Sequence, residues 1–137
     1  MLLLPVGLLR AEGPAPDFSQ LAGMVAGESG VAVEVVDGDT LLLESGTEIR
    51  LVGIQAPKLP LGRRGFVAWP LGEEAKQALE EMALGRELTL YYGGHKKDCY
   101  GRMLAHLVRD DGLWLQGALL AGGWARVYNF RDNRSLI

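Results

Sequence analysis

Apolar residues form three short runs early in the chain, each separated from the next by turn residues. Valine occupies every second position over 31–35, and further apolar runs follow at 41–43 and 49–54. The dipeptides Asp37-Gly38 and Ser45-Gly46 stand between these runs, and Gly accepts the positive φ that tight turns require. The pattern predicts a three-stranded antiparallel meander.

The spacing of apolar residues then becomes helical and later returns to strand-like runs. Over 75–83 apolar positions recur every three or four residues, acidic residues precede them, and Gly85 follows. This pattern predicts a helix that ends near Gly85 and covers the sheet with its apolar face. Residues 87–92 and 103–108 are predicted strands, 113–120 a second short helix, and 124–128 a last extended piece.

The order of these elements indicates a fold that is mainly β with some α. Three strands, a helix, two strands and a helix suit a five-stranded Greek-key barrel of the OB type with two short helices. Such barrels commonly bind oligonucleotides or oligosaccharides. The segment 57–70 contains Gly, Pro and Arg without a period and is predicted to be a surface loop.

The N-terminal segment differs in composition from the rest. Residues 1–9 are nearly all apolar, and a run rich in Pro and small residues follows, which resembles the end of a secretory signal. The run is shorter than the roughly 20 apolar residues that span a bilayer, so no membrane span is expected. A clipped signal predicts a secreted or periplasmic protein; a tail folded onto the domain is compatible with a cytoplasmic one. We therefore divide the chain into an N-terminal segment and tether, 1–30, and a domain, 31–137.

Size and charge restrict the function classes. The 137 residues suit one domain, and a net charge of −3 argues against a surface coated with positive charge for duplex binding. Any nucleic-acid site must be a local patch. The single Cys99 forms no intramolecular disulfide, and His95 and His106 have no metal-ligand spacing. The strand position of His106 predicts a half-buried structural residue.

Four motifs in a fixed order carry a family resemblance. The runs VVDGDTLLL, EIRLVGIQAP, DCYGRMLAHLV and ALLAGGWARVY, over about residues 31–128, resemble the staphylococcal nuclease-like (thermonuclease) family. The resemblance implies an OB barrel and calcium-dependent hydrolysis of DNA or RNA. Asp39 matches the family's metal-ligating aspartate, and Arg50 and Arg102 match its two phosphate-binding arginines. A carboxylate is a hard ligand for Ca²⁺, and a guanidinium binds phosphate bidentately.

Neighbouring positions depart from the family pattern. Gln55 stands where an acidic residue is typical, Ala56 where a small or hydroxyl residue is typical, and Lys58 where the general-base glutamate is expected. Asp39, the Gln55 amide and the Ala56 backbone carbonyl would give a weak Ca²⁺ site, since Ca²⁺ collects six to eight oxygens. A charged lysine accepts no proton, and loss of a general base typically costs about 10² to 10⁴ in rate.

The sequence also offers residues that would contact a nucleic-acid strand, each with a simpler alternative. Tyr100 and Tyr128 suit stacking on bases, although Tyr128 equally suits a core position. Four cations on two predicted loops would form a local positive patch: Lys96, Lys97, Arg63 and Arg64. The alternative is that both loops are only solvated surface.

The three matched family residues have structural alternatives as well. Asp39 suits a turn aspartate that bonds its own backbone. Arg50 suits a pair with Glu48 or Glu34, and Arg102 a pair with Asp98. Glu48 and Asp98 are also the acids that would replace the missing base.

Three functions follow from the sequence. The first is a nuclease-like domain that hydrolyses DNA or RNA with calcium, weakened at Gln55 and Lys58. The second is a non-catalytic module that binds single-stranded DNA or RNA, and the third is a protein-interaction domain. From the resemblance we expect the family's long C-terminal helix to be absent here, since the sequence ends at Ile137, and this predicts an exposed apolar face and self-association through it.

Overall fold

The computed structural model describes residues 21 and 23–128. These residues form seven strands and two helices: β1 (Val25–Asp37), β2 (Thr40–Leu43), β3 (Glu48–Leu51), β4 (Ile54–Gln55), α1 (Gly72–Ala83), β5 (Glu87–Tyr92), β6 (Met103–Arg109), α2 (Leu115–Ala121) and β7 (Arg126–Val127). Within them, neither helix is long and apolar enough to cross a membrane.

Five strands close into a barrel in the order β1, β2, β3, β6, β5. The neighbours are antiparallel except for β3 and β6, which run parallel. The long β1 closes the barrel, because its first half pairs with β5 and its second half with β2. The predicted five-stranded barrel of the OB type, mainly β with two short helices, is confirmed.

Aliphatic side chains fill the barrel. Those from β2, β3, β5 and β6 are fully buried, and β1 contributes Ala32 and Val35. The helix α1 adds Leu79 and Ala83 to this core and also buries Ala75, as its apolar spacing predicts. Gly85, two residues after the end of the helix, has φ +74°, and its N–H donates to the carbonyl of Ala32 in β1. The glycine therefore ends α1 and joins it to the barrel, as predicted.

The first strand begins earlier than the sequence indicates. β1 starts at Val25, six positions before Val31, inside the segment predicted to be a tether. Its first residues are mostly exposed, so they lack an apolar period and are held by pairing with β5. Gly27 makes this possible, because a Cβ there would lie 2.5 Å from the ring of Tyr92. The division of the chain at residue 30 remains a prediction, since residues 1–20 lie outside the described residues.

Two further predictions about strands and turns are corrected. The apolar run 49–54 is not one strand, because the chain leaves the barrel after Leu51 and β4 pairs with β7 instead. The first turn consists of Gly38 and Asp39, not of Asp37 and Gly38. Gly38 has no positive φ; it is needed because a Cβ there would lie 2.5 Å from the Cβ of Ala56. Gly46, with φ +92°, fulfils the predicted role.

The C-terminal helix, predicted to be absent, and the self-association predicted from its absence concern a segment beyond residue 128. They lie outside the described residues and remain predictions.

Candidate active site

A polar cleft of about 520 Å³ opens at one end of the barrel. The turn between β1 and β2, the strands β3 and β4, the loop after β4 and the loop between β5 and β6 all contribute to it. Its lining residues are Asp37, Asp39, Glu48, Arg50, Gln55, Lys58, Leu61, Arg63, Tyr100, Arg102 and Tyr128. The structure thus brings most of the sequence-predicted site residues into one place.

Asp39 is fixed on the wall of the cleft by the strands around it. It is only 6% exposed, and its carboxylate accepts hydrogen bonds from the Ala56 N–H at 2.9 Å and the Thr40 hydroxyl at 3.1 Å. The turn role considered for Asp39 belongs instead to Asp37, whose Oδ1 accepts the Asp39 N–H at 3.1 Å. The carboxylate of Asp39 is consequently held in one orientation by its chain neighbour Thr40 and by Ala56, which is 17 positions further along the chain than Asp39.

Arg50 is a buried arginine with a restrained guanidinium. Its Nη2 donates to the carbonyl of Ile54 at 2.8 Å and lies 3.7 Å from Asp39 Oδ2, and its Nη1 donates to the carbonyl of Leu51. The arginine is 5% exposed. Its positive charge therefore lies directly beside the Asp39 carboxylate.

Asp37 is a site residue that the sequence predictions missed. It lines the cleft next to Asp39, and burial, followed by the negative charge of Asp39, raises the pKa of Asp37 to about 7. Two carboxylates crowded together disfavour double ionisation. The signal in the sequence was the pair of acids in Asp37-Gly38-Asp39. Asp37 was interpreted only as a turn residue, so its place in the site was missed.

Arg102 enters the cleft from the loop between β5 and β6. Its Nε donates to Asp98 Oδ2 at 2.7 Å, and the N–H groups of Arg102 and Tyr100 both donate to Asp98 Oδ1 at 2.9 Å. Burial alone would raise the pKa of Asp98, but these hydrogen bonds lower it below its usual value. The pairing considered for Asp98 is therefore present, and it orients Arg102 while Tyr100 remains 80% exposed beside it.

The loop after β4 supplies two cations to the cleft. Its ends are tied together, since the Trp69 N–H donates to the Lys58 carbonyl at 2.9 Å. The ammonium of Lys58 lies 5.7 Å from the centre of the Trp69 ring. Arg63 donates to the carbonyls of Leu59 and Pro60 within the same loop and also lines the cleft.

Some predicted residues lie elsewhere. Lys96, Lys97 and Arg64 are exposed but are not among the residues that line the cleft, and the Lys96 ammonium lies 5.3 Å from the ring of Tyr92. Ala56 is buried, its N–H holds Asp39, and it is among the residues that line a second, more apolar groove. The positive side of the cleft is thus formed by Arg50, Lys58, Arg63 and Arg102.

His106 is structural, but it is completely buried, contrary to the predicted half-burial. Its Nδ1 accepts a hydrogen bond from the Trp114 indole at 3.1 Å, and burial lowers its pKa to about 4. Within the described residues no group of three or more His, Cys, Asp or Glu side chains is arranged to hold a metal ion.

Comparison with known proteins agrees with this picture. The family described as "Staphylococcal nuclease homologue" matches residues 48–136. The chain is 31% identical over 88% of its length to "Endonuclease YhcR" of Bacillus subtilis, and 27% identical over 75% to the "Thermonuclease" of Staphylococcus intermedius. It is 37% identical over 63% to "Probable staphylococcal-like nuclease CAN1" of Oryza sativa subsp. japonica.

These alignments cover only part of each relative. They span 10% of the Bacillus protein, 60% of the Staphylococcus protein and 23% of the rice protein. The chain therefore spans only part of the length of these relatives.

Proposed function

Since the chain belongs to the staphylococcal nuclease family, we propose that its nuclease-like domain binds a phosphodiester of single-stranded DNA or RNA in the cleft and hydrolyses it slowly with Ca²⁺. One observation carries this proposal: the cleft places the carboxylates of Asp37 and Asp39 together with the guanidinium groups of Arg50 and Arg102. Opposite charges arranged in this way suit a bound cation and a phosphate at the same time.

The two arginines are the groups that hold phosphate. The carbonyls of Leu51 and Ile54 fix the Arg50 guanidinium, and Asp98 fixes that of Arg102. Donors held in place before the substrate arrives stabilise developing negative charge without reorganisation during the reaction. Both arginines therefore act on the phosphate oxygens as negative charge grows on them.

The oxygen ligands fit a weak calcium site. Asp39 and Asp37 supply hard carboxylate oxygens. Burial and then the charge of Asp39 raise the pKa of Asp37, and a bound dication would relieve the repulsion between the two carboxylates. Gln55 adds an amide, but its Oε1 already accepts a hydrogen bond from Arg126 at 3.1 Å. These groups provide fewer than the six to eight oxygens that Ca²⁺ prefers. Bound Ca²⁺ would neutralise charge on the phosphate oxygens.

The lysine at the position of the family's general-base glutamate is the reason why the proposed hydrolysis is slow. Water loses a proton as its oxygen attacks phosphorus, the bond to the leaving oxygen breaks, and that oxygen takes up a proton from solvent. A lysine ammonium at position 58 cannot accept the proton that the attacking water loses. Of the two acids considered as substitutes, Glu48 lines the cleft, whereas Asp98 is bound to Arg102. We therefore assign proton removal to Glu48.

A non-catalytic binding module is the second candidate, and the position of Lys58 favours it. Lys58 adds positive charge to the cleft where the family has a negative charge. This exchange strengthens electrostatic attraction for a phosphate while it removes the base.

Cleavage of a fluorescent single-stranded DNA, with Ca²⁺ and with chelator, tests the proposal. The natural protein is compared with the double variant Gln55→Asp, Lys58→Glu, which restores both acids. The variant Lys76→Glu, Gln77→Asp makes the same residue changes on α1, outside the cleft. We expect slow calcium-dependent cleavage by the natural protein and by this control, and faster cleavage by the Gln55→Asp, Lys58→Glu variant.

The other results identify the alternatives. Cleavage only by the variant with restored acids would mean that the natural chain is a binding module. If no variant cuts and none binds the DNA, the interaction-domain hypothesis remains. Glu48→Gln should lower the natural rate at least about tenfold, and an unchanged rate would remove Glu48 from the mechanism.

A further inference from the structure

A second groove of about 230 Å³ lies next to the cleft. It is lined mainly by apolar groups, and Gln55 lines both depressions. The groove residues are Gln55, Ala56, Pro57, Trp69, Gly123, Trp124, Ala125 and Arg126. The proposed hydrolysis uses none of the aromatic residues in this list.

Trp69 is a large aromatic side chain that the fold leaves 40% exposed. Its backbone is nevertheless fixed, since its N–H donates to the Lys58 carbonyl and its carbonyl accepts from the Gly72 N–H. Trp69 therefore lines the groove from a fixed point of the backbone. An exposed indole at a fixed position offers a flat surface for stacking.

Trp124 forms another part of the wall and is anchored from behind. It packs against the hydrophobic core, and its N–H donates to the carbonyl of Leu119 in α2. A Cβ at Gly122 would lie 2.9 Å from its ring, whereas one at Gly123 would meet nothing within 4 Å. The Trp124 indole is thus closely packed against Gly122, whereas the space next to Gly123 is open.

Positive groups flank the apolar groove. The Lys58 ammonium lies 5.7 Å from the Trp69 ring and also lines the cleft, and Arg126 at the other side donates to Gln55. Cations beside aromatic surfaces suit a ligand with a flat ring attached to an anionic backbone. A nucleotide has both parts, whereas an apolar peptide side chain has only the first.

We propose that this groove binds one nucleobase of the single strand whose phosphate lies in the cleft, with Trp69 as a stacking surface and Lys58 on the phosphate between the two sites. The proposal rests on the proposed phosphodiester binding in the cleft. Stacking on an indole makes the contact tolerant of base identity, because every base has a π face. In this proposal Lys58 binds the phosphate of the strand from the position at which the family has its general base.

Binding of two oligonucleotides with the same phosphates separates the groove from the cleft. The probes are fluorescein-labelled octathymidylate and an octamer of the same length whose nucleotides are abasic, titrated in chelator so that no cleavage occurs. We expect Trp69→Ala to weaken octathymidylate binding roughly tenfold and to leave binding of the abasic strand unchanged. Trp69→Phe, which keeps an aromatic ring, should retain most of the affinity.

Val67→Ala is the matched control, since Val67 is 80% exposed in the same loop and does not line the groove. If Trp69→Ala binds octathymidylate as the natural protein does, or weakens both probes equally, the nucleobase site is refuted. If the natural protein binds neither probe, the proposed phosphodiester binding itself fails.

Discussion

Asp37 allows a direct test of the electrostatics of the cleft, because its carboxyl takes up a proton when the protein folds. Burial and the charge of Asp39 raise its pKa from 3.8 to about 7. Its stabilising contribution is therefore complete below pH 3.8 and is lost as the pH rises through 7. Asp37→Asn removes this titration, while an amide oxygen can still accept the Asp39 N–H.

His106 acts in the opposite direction over the same pH range. Its pKa is lowered from 6.5 to about 4, so its contribution is complete above pH 6.5 and is lost as the pH falls through 4. Between pH 7 and pH 5 the natural protein should gain roughly 2 kcal/mol from Asp37 and lose roughly 2 kcal/mol at His106. The free energy of unfolding should consequently change little in this interval.

Asp37→Asn should remove the gain and leave the loss. We expect its free energy of unfolding to fall by roughly 2 kcal/mol from pH 7 to pH 5. Urea unfolding followed by tryptophan fluorescence, in chelator at pH 5, 6 and 7, measures both profiles. Glu81→Gln removes a carboxylate on the exposed side of α1 and should follow the natural protein. Parallel profiles for Asp37→Asn and the natural protein would refute the proton uptake at Asp37.

Three further substitutions test the packing and the positioning groups. Gly38→Ala places a Cβ 2.5 Å from that of Ala56 and should cost about 1–3 kcal/mol in urea unfolding; an unchanged midpoint would contradict the close approach. Asp98→Asn weakens the interaction that orients Arg102 and should lower the cleavage rate roughly 10- to 100-fold, with little change in the unfolding midpoint. An unchanged cleavage rate would argue against positioning of Arg102 by Asp98. Gln116→Leu deletes hydrogen bonds to Val52, Ala105 and Leu107. It should lower the free energy of unfolding by about 3 kcal/mol in the same assay; an unchanged free energy would mean that these bonds contribute little.

The strands and helices that face the core could be predicted from the sequence. Glu87–Tyr92 matches its prediction at both ends, because buried leucines alternate with more exposed residues along it. Val25–Gly30 could not be found in this way, since that part of β1 has no buried side chain to produce a pattern. Its strand conformation depends on β5, more than 50 residues later in the chain.

The candidate site was partly predictable for a related reason. Asp39, Arg50 and Arg102 stand in recognisable motifs, and the barrel brings them to one cleft. The role of Asp37 depends on its burial beside Asp39, which composition does not encode. Lys96 and Lys97 share a loop with Tyr100, yet the course of the loop leaves them outside the cleft lining.

The parallel pairing of β3 with β6 also determines when the barrel closes during synthesis. Without β6, the remaining strands make an open sheet in the order β5, β1, β2, β3, because β6 joins β3 to β5. Both outer strands of that sheet would present unpaired backbone groups, the kind of edge that recruits other chains. A nascent chain that lacks Met103–Arg109 is therefore prone to aggregate. Once β6 is synthesised, it pairs with β3 and β5 and covers both edges of the open sheet.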